Sequence, residues 1–576
     1  MFDLVIKNAK IIDGTGRQAY CADVAIDGDR IVKVGNLGRV DAEEVFEAGG
    51  NVVCPGFVDI HSHGDLTIYR DDHIELLKPL VMQGMTTFVG GNCGMGMAPL
   101  GKRHFDKVRQ YIEVFTARDL SKENLQWNSV GEYMDHLDKS DMLLNMGLLT
   151  PHSILRLDAL GMSPQVAREK DLDYMEGVLD ESMEAGSLGL SVGLQYFPGS
   201  KSDTYELLRL GRKVGKYGGT LAAHLRSYNE TLPFAVDEIA EVAKRNGIKA
   251  QISHIMTIPK MNAVTRRAIV AAIKLYDKIP VTLPVDYEMK RIIKRVRSHE
   301  EDGIKISMDA MPTTVGFTHL LAFMPPWVLE GDTQTVLQRF ADQSLRKKMY
   351  KSIKTGGNVW PHRDDDQYNM NYFKSLGFDG FRIMSVVSEE NKSLEGLTLT
   401  EVGKKRHKHP FEAACDLLLE EDGHVLVFGT LTKPGARMTE ESLYAALFDP
   451  ETSISTDTIL MGFGRPSELF HGCYPGYLQR YVRERKKISW ESAIRKMTSL
   501  PASMMNLKDR GTVKEGSFAD LVIFDQEKIG SDATFYNPEV APEGIERVYI
   551  NGSLVVNRGE YVPGKPAGRL LRRGKA

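Results

Sequence analysis

A chain of 576 residues is too long for one hydrophobic core, so a large domain with at least one smaller companion is expected. With 42% hydrophobic and 26% charged residues, the composition is that of an ordinary folded globular protein and excludes extended disorder. A formal net charge of -4 gives no electrostatic reason to expect a nucleic-acid or acidic-membrane partner, which leaves small-molecule chemistry.

The opening residues, Met1 to Lys7, carry charges inside their first apolar stretch and lack the order of a signal peptide, and no apolar run approaches a membrane span. Five cysteines without framework spacing argue against a disulfide-held fold. A cytoplasmic protein is expected, with homo-oligomerisation left open. The basic tail from Arg569 to Lys575 reads as a solvated terminal cluster and receives no function.

In chain order, the first fifty or so residues read as short strands joined by turns, with hairpin chemistry at Asp27-Gly28-Asp29. The same pattern returns at Ala519 to Asp525 and Val548 to Val556, so both termini are expected in one small β-sandwich domain, residues 1–54 plus 500–576. Between them, apolar β-rich runs alternate with amphipathic helical stretches, as in parallel βα units. Strands are expected at Val52 to Ile60, Thr86 to Val89, Met142 to Leu149, Ser187 to Val192, Thr220 to His224, Ala250 to His254, Ile304 to Asp309 and Ser453 to Asp457. Helical periodicity marks Leu172 to Ala185, Thr204 to Tyr217, Ala235 to Asn246 and Ala263 to Tyr276. Together these predict an α/β protein with a (β/α)8 TIM-like barrel over 55–313 plus 423–499, interrupted by an inserted subdomain, 314–422, placed to lid a site.

The first barrel strand ends in Val58-Asp59-Ile60-His61-Ser62-His63, and side chains two apart on a strand share a face, so both imidazoles can reach one metal. Cys93, His224 and His254 follow near the ends of later strands, and Asp457 ends the last. Any one of them also fits plain packing. Six such residues at five strand ends, which barrel closure gathers on one face, point instead to a metal-assisted hydrolytic site.

His61-Ser62-His63, the histidines of strands five and six and the aspartate of strand eight resemble the amidohydrolase superfamily. Gly91-Asn92-Cys93-Gly94, the run Glu184 to Leu194, Gln251-Ile252-Ser253-His254 and Pro325-Pro326-Trp327 narrow the resemblance to the D-aminoacylase group, the N-acyl-D-amino-acid deacylases, over nearly the whole chain. The resemblance implies one or two zinc ions. Cys93, His224 and His254 would hold the tighter one, and His61, His63 and Asp457 would surround a weaker or vacant position. A thiolate suits this because it is a soft anionic zinc donor that can bridge two metals. Zinc-activated water would then attack an amide carbon, with Asp457 taking and returning the proton.

The family grips its substrate carboxylate with a Lys, a Tyr and an Arg at positions that here read Met256, the run Met311-Pro312-Thr313, and Leu469. The pocket is therefore expected to favour a neutral or apolar group there, since a carboxylate buried without partners is costly. Lys260, Arg465 or Arg226 are the candidates to restore the grip, and core packing is the alternative reading of the methionines. Ser191, Tyr196 and His152 complete the expected substrate-facing set, Tyr196 as a donor to the acyl carbonyl. Cys54 and Cys415 read as packing residues, and Cys473 is unassigned. The expected activity is hydrolysis of an N-acyl compound of uncertain charge. The alternatives are a cyclic amide, urea or ring-amine hydrolase on the same metal centre, or a non-catalytic metal-binding barrel.

Overall fold

The computed structural model describes residues 1–360, 368–564 and 566–574. Eight parallel barrel strands follow one another as Phe57–Asp59, Met85–Gly90, Asn145–Leu148, Gly189–Gly193, Thr220–His224, Lys249–Ile252, Ile306–Ala310 and Thr452–Ile454. They pair as two arcs, strands one to three and four to eight. Thr150–Pro151, continuing strand three, pairs with strand four, and Ser62 bridges to Thr458 beyond strands one and eight, which closes the cylinder. Strands two, three, four, five, seven and eight are buried along their whole length. This is the reason they read as continuous β-rich runs without strict alternation.

The helices that cover the barrel follow the periodicity of the sequence. In Thr204–Lys216 the buried Leu207, Leu210 and Val214 recur at helical steps, and the Asp203 side chain caps the helix by accepting from Glu206 N. Each such leucine contributes about 1.5–3 kcal/mol on burial. Glu169–Ala185 and Leu232–Asn246 end in left-handed glycines, Gly186 and Gly247.

The expected first strand, Val52 to Ile60, divides at Gly56. Val52–Pro55 joins the terminal domain by pairing with Leu521–Phe524 and with Lys10 and Ile11, while Phe57–Asp59 enters the barrel. A Cβ at Gly56 would fall 2.2 Å from Thr86 Oγ1, so only glycine lets the chain pass between the two sheets here. The terminal domain is built from one nine-stranded sheet contributed by both ends of the chain, around its own core of residues such as Ile6, Ile26, Val53 and Ile523.

Two expectations are corrected. The inserted subdomain does not stop at Asp422, because Leu426–Gly429 is the central strand of a three-stranded antiparallel sheet with Gly316–His319 and Phe381–Ser385. A short apolar run such as Val425 to Phe428 does not reveal by its pattern which sheet it joins. The basic tail is not merely solvated. Leu570–Leu571 pairs in parallel with Met146 and Gly147 on barrel strand three, and Arg573 N donates to Gly186 O.

The guanidinium of Arg573 donates to the carbonyls of Met183, Ser187 and Tyr217, and Arg572 donates to Ala185 O. Met183 and Ala185 lie in the last turn of Glu169–Ala185, where carbonyls lack helical partners and favour a cation. Replacing Arg573 with Ala is expected to remove about 2 kcal/mol of stability, read as a lowered thermal midpoint. An unchanged midpoint would show that the tail is not a structural strap.

Candidate metal centre

The C-terminal ends of the strands place His61 and His63 just beyond strand one, Cys93 after strand two, His224 at the end of strand five, His254 after strand six and Asp457 after strand eight. All six side chains are buried. Cys93 Sγ lies 3.3 Å from His61 Nε2, 3.6 Å from His224 Nδ1 and 3.7 Å from His254 Nε2. Asp457 Oδ1 lies 3.4 Å from His61 Nε2 and 3.3 Å from His63 Nε2. The structure thus brings together all six residues expected from the sequence.

Their backbones are unusual. Cys93, His254 and Asp457 take φ values of 53°, 33° and 53°, in the left-handed region that side chains other than glycine's rarely occupy. Such conformations cost about 1–3 kcal/mol each and persist where the surroundings fix them. Here the fixing contacts are specific. Asp457 N donates to His61 O, and His254 N donates to Asp309 Oδ1 at 2.8 Å. Beside Cys93, a Cβ on Gly91 would meet Leu149 O at 2.2 Å, so glycine is required for the loop to pass strand three.

The electrostatics are those of a mutually compensated cluster. Burial opposes ionisation of the Cys93 thiol, but the charge of His61 and hydrogen bonds from His224, His254 and His61 hold it well below its ordinary value. Burial likewise opposes charge on His61, yet Cys93, Asp309 and Asp457 raise it well above the usual histidine value. Against the same burial, hydrogen bonds with Asp457 and Cys93 raise His63 to about 10. Burial and the neighbouring His254 push His224 down to about 4.

A cation fits this donor set. Sγ, ring nitrogens and a carboxylate oxygen converge in two groups, His61–Cys93–His254 and His61–His63–Asp457, with donor atoms within 4.8 Å of one another. His224 Nδ1 and His254 Nε2 are 2.9 Å apart and both face Cys93, an arrangement that a shared cation would satisfy better than protons. His61 belongs to both groups, so it stands between the two positions rather than in one of them.

Sequence reasoning missed the residues that orient these ligands. Asp309, fully buried on strand seven, lies 3.4 Å from His61 Nδ1, leaving Nε2 directed toward Cys93 and Asp457. The same carboxylate accepts from Gln251 Nε2 at 2.9 Å and Ser455 Oγ at 2.7 Å. Gln195 Oε1 is 3.1 Å from His224 Nε2 and accepts from Tyr372 Oη at 3.0 Å, so the inserted subdomain reaches a ligand through one intermediary. An aspartate near the C-terminal end of strand seven, comparable to Asp457 after strand eight, was the available signal for Asp309.

A cavity of about 650 Å3 opens over the cluster, within the range of small-molecule sites. Tyr196, Met256 and Met311 line it, together with Phe115, Gln195 and Tyr228. Three other expectations are corrected, because none of Ser191, His152 and Arg226 is among the lining residues. Ser191 Oγ accepts from Gly94 N and donates to Gly91 O, so it braces the Cys93 loop. His152, at the start of the helix that follows strand three, faces Glu206, which also pairs with Arg156. Arg226 is held by both oxygens of Glu238 and by Ser200 O. In each case a polar group that looked available in the sequence already has a buried partner.

Of the remaining candidates, Lys260 lines the cavity but pairs with Glu230 at 3.4 Å. Arg465 lays its guanidinium near Gly396, and Leu469 is a buried helix residue outside the lining. Cys54, Cys415 and Cys473 are buried free thiols, with Cys473 behind strand eight at 3.6 Å from Ser455 O.

A barrel whose strand ends converge thiolate, imidazole and carboxylate donors under a small-molecule cavity is the architecture of the amidohydrolases, and the model of the amidohydrolase family matches residues 44–205 and 452–556. The chain is similar to that family over these two segments, and its full-length similarity lies with the D-aminoacylases. It is 26% identical to the D-aminoacylase of Alcaligenes xylosoxydans xylosoxydans over 577 residues, covering 100% of this chain and 98% of the relative. It is 27% identical to the N-acyl-D-glutamate deacylase of the same organism over 573 residues, covering 99% and 96%. The fold superposes with a TM-score of 0.75 on the N-acyl-D-glutamate deacylase of Bordetella bronchiseptica, crystallised with zinc and a phosphonate inhibitor, at 24% identity and 99% coverage of both chains.

Asp309→Asn is expected to weaken metal binding about 10- to 100-fold, measured by competition with a chromophoric chelator on protein of native circular dichroism. Unchanged affinity would show that the carboxylate does not orient His61.

Proposed function

We propose that this chain is a zinc-dependent amidohydrolase that cleaves the amide bond of an N-acyl compound. The observation that carries the reading is the convergence of Cys93 with His61, His224 and His254, and of Asp457 with His61 and His63, at the head of one cavity. Cys93, His224 and His254 would hold the tighter ion, with His61 shared toward the Asp457 side. Bound zinc supplies a Lewis acid that activates water and polarises the amide carbonyl.

The chain's own residues do the rest. Asp457, buried and ionised beside His61 and His63, accepts the proton of the attacking water and delivers it to the departing nitrogen, because an amine leaves poorly unless protonated. Tyr196 lies in the cavity with its ring 4.7 Å from that of His224. Burial and the charge of Cys93 raise its phenol well above the ordinary value, so it stays protonated and can donate to the carbonyl oxygen. His224 is oriented by Gln195, and the apolar walls limit water around the reacting bond.

Met256 and Met311 line the cavity where the family resemblance places a carboxylate grip. The lysine and arginine of the lining, Lys260 and Arg291, pair with Glu230 and Glu288. This supports a substrate that presents a neutral or apolar group at that place.

Chelation is expected to abolish hydrolysis and zinc to restore it, with Cys93→Ala losing most of the bound metal by elemental analysis. Asp457→Asn is expected to keep metal at the Cys93 position while lowering kcat by about 100-fold or more. Full activity in metal-free protein would overturn the reading. For Tyr196→Phe a fall in kcat of about 100-fold at similar KM is expected, and a change in KM alone would assign it to ground-state binding.

A further inference from the structure

The cavity does not end at the reacting centre. Beyond Met256 and Met311 it continues outward under the helices Ala263–Tyr276 and Tyr287–Glu301, where Ile269, Ile273, Val285, Ile292, Met438 and Leu443 line it. The lining of this outer arm is largely aliphatic, interrupted by Thr439, Ser442, Glu288 and Arg291. The charged groups along it neutralise one another, Glu230 with Lys260 at 3.4 Å and Glu288 with Arg291 at 3.3 Å.

The covering segment is unusual in a second respect. A surface helix ordinarily buries one apolar stripe and presents polar residues outward. Ala263–Tyr276 buries Ile273 and Tyr276 yet leaves Val264 and Leu275 exposed at 77% and 61%. The segment that follows it exposes Ile279, Val281, Leu283 and Tyr287 as well. These exposed apolar residues belong to the segment that also contributes Ile269, Ile273 and Val285 to the arm, and exposed apolar surface of this kind is suited to contact a chain-bearing ligand.

We propose that the outer arm is a binding site for an aliphatic chain, and that the substrates of this enzyme are amides carrying a long unbranched hydrocarbon on one side of the scissile bond. The inference rests on the amidohydrolase reading for its chemistry but on the cavity alone for its ligand class. Each methylene moved from water into such an arm contributes about 0.8 kcal/mol at best, close to fourfold in affinity or rate. Binding energy gathered along the chain is then available to position the amide against Asp457 and Tyr196. The hydrocarbon can belong to the acyl half or the amine half, and can arrive from free solution or from an aggregate.

The test uses the zinc-loaded enzyme and two homologous series, N-alkanoyl glycinamides and N-acetyl alkylamines, from two to ten carbons, each below and above its critical aggregation concentration. In one series kcat/KM is expected to climb at least threefold per two added methylenes, and that series identifies the half that fills the arm. A climb confined to concentrations above aggregation identifies the aggregate as the source. Ile269→Glu is expected to lower the ten-carbon to two-carbon rate ratio at least tenfold.

Calorimetric binding of methyl alkyl ketones of the same lengths, which carry the carbonyl but no hydrolysable bond, to wild type and variant gives a readout independent of turnover. Binding that tightens with length in wild type but not in Ile269→Glu supports the arm even if no amide is cleaved, in which case the hydrolase reading alone fails. Hydrolysis of short amides with no gain from length in either series, and no gain in binding, leaves the hydrolase reading standing and overturns the arm.

Discussion

A thiol, four imidazoles and a carboxylate buried together would be untenable as separate groups, since breaking even one buried pair costs about 3–5 kcal/mol. They coexist because the charges of Cys93 and Asp457 are answered by those of His61 and His63, while burial and His254 push His224 down to about 4. Cys93 is held anionic by the histidines around it, and His61 is held cationic by Cys93, Asp309 and Asp457. The barrel makes this possible by bringing strand ends from five different units of sequence to one face. A cation entering this cluster replaces protons that the ligands already hold in the right places. Most of the unusual backbone in the site, including left-handed φ at Cys93, His254 and Asp457, follows from aiming the donors inward.

Around this cluster the supporting groups form a continuous layer. Asp309 touches His61 and the His254 backbone, and Ser455 and Gln251 hold Asp309 in turn. Ser191 fixes the loop that carries Cys93, and Gln195 links His224 to Tyr372 of the inserted subdomain. The insertion therefore does more than cover the cavity. Its tyrosine helps to decide which nitrogen of His224 faces Cys93. Leu570–Leu571, the last strand among the described residues, ties strand three to the segment before strand four, so the C-terminal segment serves both the small domain and the barrel.

The barrel and the six side chains that converge at its strand ends were legible in the sequence because their signals are local. A buried parallel strand is a short apolar run, and two histidines at alternate positions share a face wherever the strand goes. The groups that the sequence misplaced depend on distant partners. His152 looked available, but Glu206, 54 residues away in sequence, lies 2.6 Å from its ring. Arg226 stands two residues after His224 and yet is spent on Glu238. Nothing in the run Val425 to Phe428 tells which sheet it enters, and two leucines near the C-terminus give no warning that they will pair with strand three. Asp309 is the intermediate case, since its place at the end of strand seven matched the pattern that had singled out Asp457.

The central claim is that Cys93 is a metal ligand, and that the chemistry follows from the cation it anchors. X-ray absorption at the zinc edge of the active, zinc-loaded enzyme tests this most directly. The account requires a sulfur scatterer at about 2.3 Å together with nitrogen and oxygen donors, and loss of the sulfur contribution in Cys93→Ser. An active enzyme whose zinc is surrounded by nitrogen and oxygen alone would contradict it.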